Sequence, residues 1–405
     1  MTDPIIVVGA SQAGVQIAES LRQEGYDGPL MLIGDEPHPP YQRPPLSKAL
    51  LTGETTEDRL VLRGRDLLAK RDIALVTGVR VEAIDRAGHR LHLSDGRDLA
   101  WRGLALATGG RARTLPIAGA DLDGVVTLRT IEDSRRIGAG IAQAASVAVV
   151  GGGFIGLEIA AAARKAGKPV VVLEALDRLL ARSSAPFVSD FFRDVHNAAG
   201  VDVRLATQAA AIEGKNGRVT AVITADGRAH PADLVVVGVG IVPNAELALE
   251  AGIACERGIV VDNCSRTDDP AVTAAGDCTA RRMADGTLLR LESVQNAIEQ
   301  GKSAAAALVE RARPFTAAPW FWSDQYDVRL QMAGLAAGHD KIVVRGVTAA
   351  RRFSVFYFRG ETLLAVDTVN RAPDHIAARK LLDAGKSPTF AQAEDESFAL
   401  ASLLR

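Results

Sequence analysis

VAVVGGGFIGLE, residues 147–158, is the stretch from which the rest of the chain is read. Four apolar residues run into Gly151, Gly153 and Gly156, and apolar positions then recur with helical spacing at Ile155, Ile159, Ala162, Ala163 and Ala166. The pattern predicts a buried strand ending at the first glycine and a helix starting just beyond. Glycines there let a pyrophosphate approach the backbone, and the first N–H groups of the helix point at its charge. Residues 170–173 form another apolar run ending in Glu174, an acid about 20 residues beyond the glycines, where a carboxylate takes the ribose of a dinucleotide. PIIVVGASQAG, residues 4–14, repeats the design with Gly9 and Gly14 but with Ser11 in place of the middle glycine, a residue still small enough for close approach. Residues 30–33, followed by Asp35 and Glu36, again supply strand and acid. Two such turns imply two dinucleotides. The economical assignment is one FAD, held permanently, and one nicotinamide nucleotide that exchanges; one working turn and one relic is the alternative.

Composition narrows the function classes. A chain of 405 residues, 47% hydrophobic, is long enough for two or three domains. Lys+Arg 47 against Asp+Glu 49 gives a net charge of −2, which argues against nucleic acid or a membrane surface as partner. No apolar run approaches the ~20 residues of a membrane-spanning helix. The opening MTDPII has no basic start or signal-peptide core, so a cytoplasmic protein is expected. Cys255, Cys264 and Cys278 form neither a CxxC nor a metal-ligand spacing and read as reduced structural residues.

Outward from the two turns the chain shows a repeated plan. Residues 36–48, with five prolines, predict a stiff extended loop. Alternating residues at 79–84 and 90–93 predict a hairpin, and residues 104–108 a short strand ending in ATGG. From about residue 115 the plan restarts with an Arg-rich helical stretch and the second turn. A hairpin at 210–213 and 219–224 follows, then a strand at 234–237 ending in GVGIVPN. One domain duplicated, the second copy inserted in the first, accounts for this. Residues 259–316 return to the first copy through AAGDC and a helix at 292–308. Strand patterns at 341–345, 353–358 and 362–366 and a helix near 374–384 then predict a separate α+β domain. The expected fold is therefore α/β, with two Rossmann-like dinucleotide-binding domains and a C-terminal α+β domain. The boundaries are 1–113 with 241–316 for FAD, 114–240 for NAD, and 317–405; residues 387–405 stay unassigned.

With these pieces in order, the chain resembles the oxygenase-coupled FAD-dependent ferredoxin reductases of the putidaredoxin reductase type, which have the glutathione-reductase-like fold. The marks are GASQAG, PYQRPPLSK, ATGG, LRTIEDS, GGGFIGLE, GVGIVPN, AAGDC, ESVQNAIEQ and FWSDQY, from the first strand to about residue 380. The resemblance implies a flavoprotein that takes hydride from NADH. It would pass single electrons to a 2Fe–2S ferredoxin serving a cytochrome monooxygenase or ring-hydroxylating dioxygenase. It implies that Ala13, Asp35, Arg43, Lys48, Val81, Arg129, Val294 and Trp322 contact FAD and that Asp277 holds a ribityl hydroxyl; an Asp there is equally suited to cap a helix. Arg43 and Arg129 suit a diphosphate, which guanidinium groups bind bidentately. The ATGG mark adds Ala107, Thr108 and Gly109 to the flavin side. Phe154 and Ile155 of the second turn, with Gly238 and Gly240, join the nicotinamide side.

The family pattern also puts Lys48 and Glu158 near the flavin atom that receives hydride, the ammonium stabilising negative charge and the carboxylate fixing the lysine. The bland alternative is an ordinary salt bridge between domains. Glu174 favours NADH because a carboxylate repels a 2′-phosphate, although Arg178 and Arg182 lie near enough in sequence to offer such a phosphate a site. PYQRPPLSK contains no cysteine, so a dithiol relay beside the flavin is not expected. An acidic ferredoxin calls for a basic docking patch, for which Arg281, Arg282, Arg290 and Lys302 lie in the right segment, Arg290 and Lys302 foremost. A monomer or weak dimer is expected. A rubredoxin reductase, or a redox-signalling flavoprotein like apoptosis-inducing factor, would share the same architecture.

Overall fold

The computed structural model describes residues 3–405; Met1 and Thr2, where the expectation of a leaderless start begins, lie outside the described residues. The chain packs into two compact units. One comprises the chain up to Gln42 with Leu60–Arg111 and Val242–Pro319; the other comprises Arg43–Arg59, Ala112–Ile241 and Trp320–Arg405.

The first unit is built on a five-stranded parallel sheet in the order Val272–Ala274, Gly103–Leu106, Ile5–Val8, Leu30–Gly34, Ile73–Thr77. Ile5–Val8 is buried throughout, as a strand covered on both faces must be, and its apolar run has no polar alternation. Helix Gln12–Gln23 lies against helix Val294–Leu308, so closely that a Cβ on Gly301 would sit 3.0 Å from Gln16. The predicted hairpin forms from Val81–Asp85 and Arg90–Leu93.

In the second unit a second parallel sheet runs Val201–Arg204, Val170–Leu173, Val147–Val150, Leu234–Val237, Val125–Thr127. Both sheets thus carry their glycine turn on the central strand, where chain order reverses and a crevice opens at the carboxyl ends of the strands. The last strand of the first sheet, Val272–Ala274, follows the whole second sheet in the sequence, which is the topology of an insertion. Residues from Trp320 onward form a five-stranded antiparallel sheet with helix Ala372–Asp383 packed on it, the expected α+β element. The unassigned tail holds a short helix, Phe390–Glu394, and a 3-10 turn, Leu400–Leu404. Its anchor is the buried Arg345, whose guanidinium donates to the carbonyls of Gln392, Asp395, Glu396 and Phe398.

Two expectations need correction. The proline-rich segment is not extended along its length: Pro44–Ser47 coils into a 3-10 turn. Paired prolines fix φ near the value that suits the first residues of a helical turn as well as an extended chain. The turn is pinned where Ser134 Oγ donates to the Leu46 carbonyl at 2.8 Å. The Arg-rich helix begins only at Ile131, after the strand Val125–Thr127, and runs to Gln143 from a Thr130–Asp133 capping box.

Candidate functional site

The two glycine turns have the same backbone geometry. Gly9 adopts φ +112° and Gly151 φ +109°, a region that side chains disfavour. A Cβ on Gly9 would fall 2.1 Å from the Ala107 carbonyl oxygen, and one on Gly151 2.5 Å from that of Gly238. ATGG and GVGIVPN therefore press on the turns as their neighbouring strand ends. Gly14 and Gly156 bring the helices hard against the turns, since a Cβ would lie 1.8 Å from the Gly9 oxygen and 2.2 Å from the Gly151 oxygen. Neither helix has a side-chain cap at Ser11 or Gly153, and neither has an acidic residue in its first turn. Backbone N–H groups are thus left for an anion, as a dinucleotide pyrophosphate requires.

Around the first turn, Asp35 is exposed, 4.0 Å from Arg80, and lines an open cavity of about 290 Å³ with Gly78, Arg80, Glu82 and Ser94. Glu36 accepts a hydrogen bond from the Tyr41 hydroxyl, and Val81 is buried at the start of the hairpin. Thr108 and Asn244 exchange hydrogen bonds of 2.6 and 3.0 Å beside Gly109, itself at φ +65°. Asp277 stands half-buried in a tight turn between Val272–Ala274 and Thr279–Arg282, so it caps no helix. That turn is clamped by Gln300, whose Oε1 accepts from Gly276 N at 2.8 Å and from Thr279 Oγ1 at 3.0 Å. Sequence reading missed Gln300, although it falls within the ESVQNAIEQ mark. Val294 opens the helix behind the Ser293 cap.

In the second unit Lys48 and Glu158 meet. Lys48 Nζ lies 2.7 Å from Glu158 Oε2, and Glu158 is only 4% exposed. Ser47 Oγ donates to the same carboxylate oxygen, while Ser323 Oγ donates to Oε1 at 2.6 Å. A buried ion pair survives only when its remaining lone pairs are satisfied, and these two hydroxyls satisfy them. Neither serine was singled out from sequence. Arg43 and Arg129 also come together, Arg43 Nη1 donating to the Arg129 carbonyl at 2.6 Å. Phe154, at the helix start, packs its ring 4.7 Å from that of Phe321, and Ile155 is exposed. The Trp322 ring lies 5.5 Å from that of Trp320 at a tilt of 32°, and the Arg379 guanidinium sits 4.5 Å over the Trp320 ring.

Around Glu174 the structure shows which charged groups are already engaged by the protein. Glu174 accepts from the backbone N–H of Gly152 at 2.6 Å and of Leu176 at 2.8 Å. Arg178 spends its guanidinium on Ser184, Ser189 and Ala181. Arg182 lies beside Gly240, where a Cβ would be 3.2 Å from Nη2.

The cations expected to form a docking patch differ in exposure and pairing. Lys302 is exposed and pairs with Glu299 at 2.9 Å, whereas Arg290 is half-buried and pairs with Glu292 at 2.8 Å. Arg281 turns inward over the Phe315 ring at 4.4 Å, and burial lowers its pKa; Arg282 is exposed. Burial also pushes the thiols of Cys278, Cys255 and Cys264 up, away from reactive thiolates. Among the described residues no His/Cys/Asp/Glu group is arranged to hold a metal ion, and no helix is long and apolar enough to cross a membrane.

Comparison with known proteins places this geometry. The family model described as pyridine nucleotide-disulphide oxidoreductase matches residues 3–301, and the model described as reductase C-terminal matches residues 320–404. Rhodocoxin reductase of Rhodococcus erythropolis is 45% identical over 397 residues, covering 98% of this chain and 93% of the relative. The crystal structure of the ferredoxin reductase for the CYP199A2 system from Rhodopseudomonas palustris superposes with a TM-score of 0.96 at 43% identity, covering 99% of each chain. A crystal structure of the covalent putidaredoxin reductase–putidaredoxin complex superposes with a TM-score of 0.95 at 42% identity, covering 100% of this chain and 98% of the other. The chain belongs to the pyridine nucleotide-disulphide oxidoreductase family, among its ferredoxin reductases, and is a flavoprotein oxidoreductase that works with FAD and NAD(H).

Proposed function

We propose that this chain draws electrons from NADH and delivers them singly to an acidic 2Fe–2S ferredoxin that serves a cytochrome monooxygenase or ring-hydroxylating dioxygenase. The observation that carries the reading is the buried Lys48–Glu158 pair, set on the helix that starts at the second glycine turn, with no cysteine in the segment that brings Lys48 to it. A bound flavin supplies the conversion of one two-electron donor into two one-electron deliveries. Everything else falls to the protein. Gly9, Ser11, Ala13 and Gly14 hold the FAD pyrophosphate and Asp35 or Glu36 its ribose. Asp277, Ala107, Thr108, Gly109, Val81, Val294, Arg43, Arg129 and Trp322 are assigned the remaining flavin contacts. Gly151, Gly153, Phe154, Ile155, Gly156, Gly238 and Gly240 take the nicotinamide nucleotide, and Glu174 selects its unphosphorylated form. Lys48 presents its ammonium where hydride arrives, held at a fixed position by Glu158.

The division into 1–113 with 241–316, 114–240 and 317–405 is our reading of which stretch serves which nucleotide. The separate family matches to residues 3–301 and 320–404 support its last boundary. Docking rests on Arg290 and the exposed Lys302, with the exposed Arg282 in the same segment, and a monomer or weak dimer working in the cytoplasm accompanies it. The test is stopped-flow reduction of the bound flavin by NADH. Lys48→Ala is expected to slow it about a hundredfold with the FAD content unchanged, since the lost group is a preorganised charge and not a ligand that retains the cofactor. An unchanged rate would refute the assignment.

A further inference from the structure

Strand Trp320–Gln325 presents alternate residues to opposite sides, as any strand does. On one side the Trp320 and Trp322 rings lie 5.5 Å apart at a tilt of 32°. On the other, Phe321, Ser323 and Gln325 each meet a residue of the nucleotide-binding half of the same unit: Phe154, Glu158 and His196 in turn. The last two contacts belong to one hydrogen-bonded chain. Tyr326 Oη lies 3.4 Å from His196 Nδ1, His196 Nε2 lies 2.8 Å from Gln325 Oε1, Gln325 Nε2 donates to Ser323 Oγ at 3.1 Å, and Ser323 Oγ donates to Glu158 Oε1 at 2.6 Å.

The donor sense of this chain is fixed by its chemistry. The carboxylate of Glu158 only accepts, so the Ser323 proton points at it. The Ser323 oxygen then receives the amide N–H₂ of Gln325, which leaves the amide oxygen to face His196. That oxygen needs a donor, which places the imidazole proton on Nε2 and leaves Nδ1 to accept from Tyr326. His196 and Gln325 are at most 1% exposed and Ser323 is fully buried, and burial pushes the imidazole below its ordinary range against the opposing pull of Gln325. A neutral imidazole is what this arrangement requires. Every donor thus points toward Glu158. An amide is a poor proton carrier, so the chain orients groups and does not conduct through Gln325.

We propose that Ser323, Gln325 and His196 are positioning residues for the reaction: they lock the Glu158 carboxylate in the one orientation that leaves Oε2 for Lys48. The inference rests on the role given to Lys48 and Glu158 under the proposed function, and adds a second support on Oε1 from the C-terminal sheet.

The test uses the FAD-loaded full chain. Flavin reduction by NADH is followed by stopped flow, and the flavin midpoint potential by spectroelectrochemistry, in Ser323→Ala, Ser323→Thr, Glu158→Gln, Lys48→Ala and the double variant Ser323→Ala/Glu158→Gln. Loss of one hydrogen bond to a charged group corresponds to about a tenfold fall in the limiting rate for Ser323→Ala, with the Kd for NADH unchanged. Its potential is expected to shift in the same direction as that of Lys48→Ala. Ser323→Thr, which keeps the hydroxyl, restores both, and the double variant is no slower than Glu158→Gln because the serine acts only through the glutamate. The proposal is overturned if Ser323→Ala leaves rate and potential at wild-type values while Lys48→Ala changes both, or if the two substitutions multiply in the double variant. A Lys48→Ala enzyme with wild-type behaviour would overturn the underlying function instead, a separate and recognisable result.

Discussion

We infer that Glu174 sets the choice between NADH and NADPH. Its carboxylate is held by the N–H groups of Gly152 and Leu176, so it cannot swing aside for a 2′-phosphate without giving up two hydrogen bonds. With Arg178 committed to Ser184, Ser189 and Ala181, only Arg182 of the two sequence candidates has a guanidinium not engaged in that network. We expect kcat/KM for NADH to exceed that for NADPH by at least about tenfold, and Glu174→Ala to narrow the ratio; an enzyme that prefers NADPH would contradict the assignment. A second residue-scale prediction concerns Asp367. It is buried beside the Tyr357 hydroxyl, 2.8 Å away, and burial raises its pKa from 3.8 to about 7. A carboxyl raised in the folded state binds its proton more tightly there than in the unfolded chain. Its contribution is therefore fully present below about pH 4 and is lost as pH rises through about 7. Between pH 5 and 8 the thermal midpoint of the wild type should fall further than that of Asp367→Asn. Equal falls would show that the buried carboxyl has no such linkage.

At the scale of elements, the two strand–turn–helix units were legible because their information is local. An apolar run, glycines at fixed spacing and a helical period together specify the unit within about 20 residues. The same closeness makes them fragile. A methyl group at Gly156 would meet the Gly151 carbonyl at 2.2 Å, backbone against backbone, so the helix must shift away from the turn. Gly156→Ala is expected to weaken NADH binding more than about tenfold while FAD content stays constant, because the first turn is a separate structure. Loss of FAD in this variant would show the two turns to be coupled. The proline-rich segment was read less well. Its composition announced stiffness, but whether paired prolines extend or coil was settled by Leu46, buried and bonded through its carbonyl to Ser134, a residue 88 positions away.

Across the whole molecule, charge balance and cysteine usage agree with a chemistry that needs no thiol. Cys264 and Cys278 are buried, Cys255 is half-buried, and all three thiols are raised in pKa by burial. Alkylation of the native enzyme should reach Cys255 first and leave ferredoxin reduction unchanged; parallel loss of thiol and turnover would point to a relay through sulfur. Legible along the chain were the two nucleotide turns, the hairpins, three of the five C-terminal strands and, through resemblance to a family, the meeting of Lys48 with Glu158; the strands Trp320–Gln325 and Val328–Gly334 were not. What surrounds that pair came from long-range packing. Ser323 lies 165 positions from Glu158, and Gln325 lies 129 from His196. Periodicity and glycine conformation are properties of neighbouring residues, and so they can be read in order along the chain. Which hydroxyl reaches a buried carboxylate depends on the register of a strand and the packing of a helix far away in sequence, and no local pattern encodes it.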